Sequence, residues 1–156
     1  MEQIVKIEMA AQGDVQDCIE ALMESELGRK YFRDYEKSEK TITSAFKDKE
    51  LYAARNDKGE CLGFVWFLPN GAFHSFPYLH IIAVKEKYRG CGIGTNLLRF
   101  YEELAGSYAK KAFLIVDDFN PKAKKLYERE GYHEVGVLPD LYIKGIHGFL
   151  MMKTFE

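Results

Sequence analysis

The sequence predicts an α/β fold in a single domain over 1–156, with a mixed, mostly antiparallel sheet of about six to seven strands flanked by about four helices. Three observations lead there. Short apolar or alternating runs bounded by turn residues recur at both ends of the chain, and two of them lie close enough to form a hairpin. Between them run longer stretches with apolar residues at three- and four-residue spacing, the period of an amphipathic helix. The third is the stretch Tyr88-Arg89-Gly90-Cys91-Gly92-Ile93-Gly94-Thr95, which joins the apolar run Tyr78–Val84 to an amphipathic run Leu97–Leu104. It reads as strand, glycine loop and helix in immediate succession.

The elements follow in order. Gln3–Met9 alternates imperfectly at Ile4, Ile7 and Met9 and gives a first strand. Asp14 is placed as a helix N-cap, and Val15, Cys18, Ile19, Leu22 and Met23 carry a helix to about Glu26, with Gly28 expected to end or bend it. A second, more polar helical stretch covers Tyr31–Lys49, broken near Lys37-Ser38. Leu51–Arg55 and Cys61–Phe67 form a hairpin across Asn56-Asp57-Lys58-Gly59, and Pro69-Asn70-Gly71 is read as the next turn. Phe73–Val84 is dense enough in β-branched and aromatic residues for a central strand. Pro77 cannot donate to a ladder, so pairing on both sides is expected from about Tyr78. After the glycine loop, Ile93, Leu97, Leu98, Tyr101 and Leu104 mark one helix face, and Ala112–Val116 is a buried strand. Asn120 caps the last helix with Pro121 at its first position, and Gly131 closes it. Tyr132–Val137 and Gly148–Phe155 are the final strands, joined by Leu138–His147. No internal repeat is visible.

Composition excludes several classes. A formal charge of −2 is not the basic excess of a generic nucleic-acid binder. No apolar run reaches spanning length, and the opening Met1-Glu2-Gln3-Ile4-Val5-Lys6 goes directly into alternation, so a cytoplasmic protein without membrane or nucleic-acid partners is expected. Cys18, Cys61 and Cys91 are odd in number and far apart in sequence, which suggests neither a disulfide framework nor a zinc site, and no metal is expected. Cys91 alone stands where a thiol has a functional option; a small residue in a tolerant loop is the plainer reading.

Glycines at 90, 92 and 94 clear side chains from the backbone, so consecutive N–H groups can turn toward one point at a helix start. That arrangement suits phosphate oxygens. A P-loop would need Lys-Ser/Thr after the last glycine, where Thr95-Asn96 stands instead. The dinucleotide fingerprint matches only through Gly90-x-Gly92 and lacks the acid that would meet a ribose. Arg89-x-x-Gly92-x-Gly94 resembles the pyrophosphate loop of the GNAT superfamily of acyl-CoA-dependent N-acyltransferases, and the order of strands and helices over the whole chain is similar to theirs. Asn120-Pro121-x-Ala123-x-x-Leu126-Tyr127-Glu128-x-x-Gly131-Tyr132 resembles the second signature of that family.

The resemblance implies an N-acetyltransferase domain over 1–156, using acetyl-CoA as co-substrate and a primary amine of a small molecule or peptide as acceptor, by direct attack in a ternary complex. A sensor of acyl-CoA without turnover is the alternative. It implies cofactor contacts from Ile82, Ala83 and Val84, from Arg89, Gly90, Cys91, Gly92, Ile93, Gly94 and Thr95, and from Asn120, Ala123 and Tyr127. It further implies that the strand bearing Ile82–Val84 splays from Ala112–Val116, leaving backbone groups for the cofactor. Tyr127 is the general acid, since a departing thiolate needs a proton and a phenol fixed by a helix can supply it. Lys85, Lys87, Lys122, Lys124 and Lys125 gather near the two loops, either for cofactor phosphates or as a solvated basic rim. Many relatives carry a glutamate on the strand before the loop, whereas this chain offers Tyr78 and His80. His80 is the candidate base, with a histidine satisfied in the core as the competing reading. The acceptor side is expected from Glu24–Tyr35 and Leu138–His147. There, Glu24, Glu26, Asp34 and Glu36 would attract an amine and Tyr31, Phe32, Tyr35 and Tyr142 would line a pocket, or all eight form a solvated face. A homodimer through the late strands is a further expectation.

Overall fold

In the computed structural model, which describes residues 5–156, seven strands lie in the order β1-β2-β3-β4-β5-β7-β6. In chain order the elements are β1 (Lys6–Met9), α1 (Val15–Glu24), α2 (Glu26–Tyr31), α3 (Tyr35–Lys47), β2 (Leu51–Arg55), β3 (Cys61–Ala72), β4 (Phe76–Val84), α4 (Ile93–Gly106), β5 (Lys111–Asp117), α5 (Pro121–Arg129), β6 (His133–Leu138) and β7 (Gly148–Thr154). β1, β2 and β3 pair antiparallel, as do β5 with β7 and β7 with β6, while β4 and β5 are parallel. The sheet is therefore mixed and mostly antiparallel, as the sequence predicts. The part of the first-strand expectation at residues 3 and 4 lies outside the described residues.

The chain forms two compact units. One holds the residues up to Phe67 with Ile81–Tyr101, the other Leu68–His80 with Glu102–Glu156. In the first, Cys18, Ile19 and Leu22 of α1 and Ile42 and Ala45 of α3 pack with Leu51, Ala53, Phe64 and Ile81 of the strands, all almost free of solvent. Cys18 and Cys61 are both buried there and hydrogen-bonded to each other, although the sequence sets them far apart. Asp14 precedes α1 as expected but does not cap it through its side chain. Its carboxylate instead accepts from the Ala11 N–H at 2.7 Å and from the Arg55 guanidinium.

The break after α1 also differs from the expectation. Ser25 is the punctuating residue: its Oγ donates to Leu22 O at 2.6 Å and accepts from the Gly28 N–H at 2.9 Å, capping α2. Gly28 lies inside α2 because there is no room for a side chain, since a Cβ would come within 1.9 Å of Leu22 O. Likewise α3 runs unbroken through Lys37-Ser38. Its start is Asp34, whose carboxylate accepts from the Glu36 N–H, and the Ser38 hydroxyl donates to Phe32 O at 3.0 Å.

In the second unit, β5 lies between β4 and β7, with Ala112, Leu114 and Met151 fully buried. The expected turn at Pro69-Asn70-Gly71 is instead part of β3. Chain reversal occurs three residues later, where Phe73 and His74 adopt φ of 56° and 58° and the Ser75 N–H closes on Ala72 O at 3.1 Å. Gly71 serves close approach rather than turning, since a Cβ there would sit 2.7 Å from Leu68 Cβ. The ladder of β4 with β5 begins at Tyr78, directly after Pro77, and its register takes in only Tyr78↔Phe113 and Leu79↔Leu114.

Candidate active site

The glycine loop is built on the end of β4. Ile82 and Val84 are half-buried and Ala83 is buried. Gly63 of β3 lets the two strands meet here: a Cβ on it would lie 2.5 Å from Ala83 O. The Lys85 N–H donates to Leu62 O at 2.9 Å, and a single turn of 3-10 helix at Glu86–Tyr88 leads to Arg89. Gly90 and Gly92 then take φ of 79° and 82°, conformations that an L side chain resists. Asn96 makes the first helical bond of α4, to Gly92 O at 3.0 Å, which places the N–H groups of Ile93, Gly94 and Thr95 ahead of the helical ladder. No acidic residue stands in the first turn of α4. The positive helix end is thus presented without an internal counter-charge, and this geometry fits a phosphate. Ile93 is buried and anchors the turn, whereas Gly94 and Thr95 are half-buried. Gly94 differs from its neighbours: its φ is not positive, and a Cβ would meet nothing nearer than Val84 Cγ2 at 4.0 Å. Cys91 is a free thiol, half-buried, with its Sγ 3.8 Å from Arg89 O.

The cations near the loops divide sharply. Lys85 is buried, and although burial works against its ammonium, ion pairs to Asp17 and to Glu20 (3.1 Å) raise its pKa above the ordinary lysine value. Lys124 is held by Glu134 at 2.6 Å and lies over the Phe149 ring at 4.2 Å. Both ammonium groups are committed to carboxylates of this chain. Lys87 lies over the Tyr88 ring. Lys122 and Lys125 are exposed on α5. Arg89 has its Nε on Val84 O at 3.2 Å and Nη2 on Glu24 O at 2.7 Å.

The second unit carries the other signature. Asn120 caps α5, its Oδ1 accepting from the Ala123 N–H at 3.4 Å, with Pro121 in the first turn and Gly131 at φ 98° after the helix. Tyr127 stands two turns beyond the cap. Its ring meets Tyr132 edge-on at 5.9 Å, and burial pushes its phenol up to about 12. It therefore keeps its proton throughout the neutral range. On β4, Tyr78 and His80 share one face as the strand period requires, their ring centroids 5.7 Å apart. Burial lowers the His80 pKa below 6.5, which keeps its ring neutral near pH 7.

The surroundings of Tyr78 were not legible in the sequence. Burial raises its phenol well above the ordinary range, helped by a hydrogen bond to Tyr142 and by the nearby Asp117 and Tyr127. The segment between β6 and β7 that carries Tyr142 is latched to the start of the β5–α5 turn. The Asp118 N–H donates to His147 O at 2.9 Å and the His147 N–H to Asp118 Oδ2 at 3.0 Å. On the expected acceptor side, the acids already have partners: Glu26 with Arg29, Glu36 with Lys40, Asp34 at the α3 cap, and Glu24 with the Glu86 N–H at 3.1 Å. Phe32 lies under Lys37, and the Tyr35 hydroxyl donates to Gln16 Oε1 at 2.9 Å. Tyr31 is half-buried on α2.

Comparison with known proteins places the chain in a family. Residues 16–132 match the model of the acetyltransferase (GNAT) family. The uncharacterized N-acetyltransferase MJ1530 of Methanocaldococcus jannaschii is 37% identical over 78 residues, covering 47% of this chain and 50% of that protein, so the match spans about half the length of that relative. Among solved structures, PH1933 from Pyrococcus horikoshii has a TM-score of 0.79 at 22% identity, over 98% of this chain and 99% of that one. An acetyltransferase from Bacillus anthracis, solved in complex with acetyl coenzyme A, has a TM-score of 0.59 at 23% identity over 68% of this chain and 62% of that one. Among the described residues no helix is long and apolar enough to cross a membrane. With its family model spanning 16–132, a glycine loop opening α4 and an asparagine-capped α5 carrying Tyr127, the chain belongs to the acetyltransferase (GNAT) family.

Proposed function

We propose that this protein is an N-acetyltransferase that passes an acetyl group from acetyl-CoA to a primary amine of a small molecule or peptide, by direct attack in a ternary complex. The observation that carries this reading is Tyr127: its phenol stands two turns beyond the Asn120 cap of α5 and keeps its proton through the neutral range, as a general acid to a departing thiolate requires. Acetyl-CoA supplies an activated thioester. The turn at Gly90 and Gly92, with the N–H groups of Ile93, Gly94 and Thr95, binds its diphosphate. Backbone groups of Ile82, Ala83 and Val84 align the pantetheine arm and meet the carbonyl oxygen as charge develops on it. Asn120 and Ala123 hold the α5 side of that arm.

The amine must arrive at the carbonyl carbon neutral. His80, uncharged near pH 7, takes its proton directly or through water. As the carbon–sulfur bond breaks, the Tyr127 hydroxyl gives its proton to the thiolate, and solvent later restores it. Attachment of the acetyl group to nitrogen and protonation of sulfur balance the step without a covalent enzyme species. The domain extends over 1–156 and works in the cytoplasm.

Calorimetric titration with acetyl-CoA, followed by thiol release over polyamines, amino sugars, amino acids and short peptides, tests the reading. Binding with amine-dependent thiol release is the expected result. Binding without release on any amine favours the sensor, and absence of binding removes the loop assignment.

A further inference from the structure

Arg89 belongs to the loop motif, and its motif position suggests a phosphate ligand. Its surroundings suggest another role. The guanidinium donates through Nε to Val84 O at 3.2 Å, at the end of β4, and through Nη2 to Glu24 O at 2.7 Å, at the end of α1. Glu24 engages the loop a second time, its carboxylate Oε2 accepting from the Glu86 N–H at 3.1 Å. One residue of α1 thus holds the loop at two points, through its main chain and its side chain. The neighbouring anchors all precede Gly90: Lys85 is tied to Asp17 and Glu20, and the Tyr88 hydroxyl donates to Glu60 Oε2 at 2.8 Å. These bonds fix the approach to the glycines.

The charge of this face speaks against an anion seated on it. A cavity of about 460 Å³ there is lined by Glu20, Glu24 and Glu86 against Lys85 and Lys87, and Lys85 is already committed to Asp17 and Glu20. Acids outnumber the cations that remain, so a diphosphate gains nothing by turning toward it.

We propose that Glu24 and Arg89 form a clamp that sets the glycine loop in its binding posture, Arg89 acting as a positioning residue and Glu24 as its partner on α1. The proposal rests on the reading that the loop binds acetyl-CoA. The clamp works on affinity, because the loop's N–H groups converge on the diphosphate only while Arg89 and Glu86 are held to α1. Chemistry at the thioester is untouched. Because Glu24 leads through Ser25 directly into α2, the clamp also joins the cofactor loop to the start of the segment expected to face the acceptor.

A double-mutant cycle on acetyl-CoA affinity decides the matter. Glu24→Ala, which removes the acceptor of the Glu86 N–H, and Arg89→Ala, which removes the bonds to Val84 O and Glu24 O, should each weaken binding by about tenfold, because release of either anchor frees the loop. The double variant should lose about tenfold as well, because the first change already frees the loop. Glu24→Gln, which keeps an acceptor for the Glu86 N–H, should bind like the wild type. Should Glu24→Ala fold poorly, Glu24→Asp withdraws the same carboxylate while keeping its charge, and the same loss is expected. Additive losses, about a hundredfold in the double variant, would show Arg89 touching the phosphate itself and overturn the clamp. Wild-type affinity in Glu24→Ala, or no rescue by Glu24→Gln, would overturn it too. Those results leave the cofactor reading standing, whereas a wild-type protein that does not bind acetyl-CoA removes both.

Discussion

The roles proposed for Tyr127 and His80 rest on burial, which moves the two groups in opposite directions. A phenol resists ionising when desolvated and an imidazole resists protonation, so the first becomes a steadier donor and the second a steadier neutral base. Tyr127→Phe removes only the hydroxyl. It should lower kcat by about 10²-fold with acetyl-CoA affinity nearly unchanged, as initial-rate kinetics and calorimetry will show. The same variant has a signature in stability. The folded-state pKa of Tyr127 lies near 12 against an ordinary 10, so its contribution is present below pH 10 and is lost as pH rises toward 12. Melting temperature should therefore fall less steeply above pH 10 in Tyr127→Phe than in the wild type. For His80 the folded pKa is depressed, so the neutral ring is kept above 6.5 and is lost only at lower pH. The acidic limb of kcat/KM should lie below pH 6.5 in the wild type and shift in His80→Ala. An unmoved limb would return His80 to the core.

Among the elements, the glycine loop was the most legible and the hairpin after it in space the least. Gly92→Ala puts a side chain at φ 82°. The strain of about 1–2 kcal/mol should either reshape the turn or lower stability by that amount, with acetyl-CoA affinity down about tenfold. Calorimetry beside a melting curve separates the two. Sequence pattern gave the strand–loop–helix order, the Asn120 cap with Pro121, and the onset of the β4–β5 ladder after Pro77, because each depends on local chemistry that a side chain announces. It misplaced the β3–β4 reversal because glycine has two uses. Gly71 is there for want of space, while the reversal falls on Phe73 and His74, two residues that do not advertise positive φ. Gly28 misled in the same way: its lack of a Cβ accommodates Leu22 O, and Ser25 ends the helix. The partners of the lysines were not legible for a related reason. Proximity in sequence to a phosphate loop says nothing of Asp17, Glu20 or Glu134, which come from distant positions and claim Lys85 and Lys124. The clamp of Glu24 on Arg89 spans 65 positions and leaves no mark in either local sequence.

For the whole molecule, the family follows from two signatures and a strand order, while the acceptor does not. The fold is shared with solved proteins whose overall identity to this chain is near 20%, so it leaves the choice of acceptor open. The residues expected to choose the amine lie in Glu24–Tyr35 and Leu138–His147, where side chains are freer to vary than in the sheet. Direct transfer of acetyl to nitrogen is tested by steady-state kinetics with two substrates. Initial rates of thiol release are recorded over a grid of acetyl-CoA and amine concentrations, with the acetylated amine identified by mass spectrometry. Intersecting double-reciprocal lines, with one acetylated amine formed per thiol released, are predicted. Parallel lines would point to an acetylated enzyme and contradict direct attack, and thiol release that does not depend on amine would contradict N-acetyl transfer altogether.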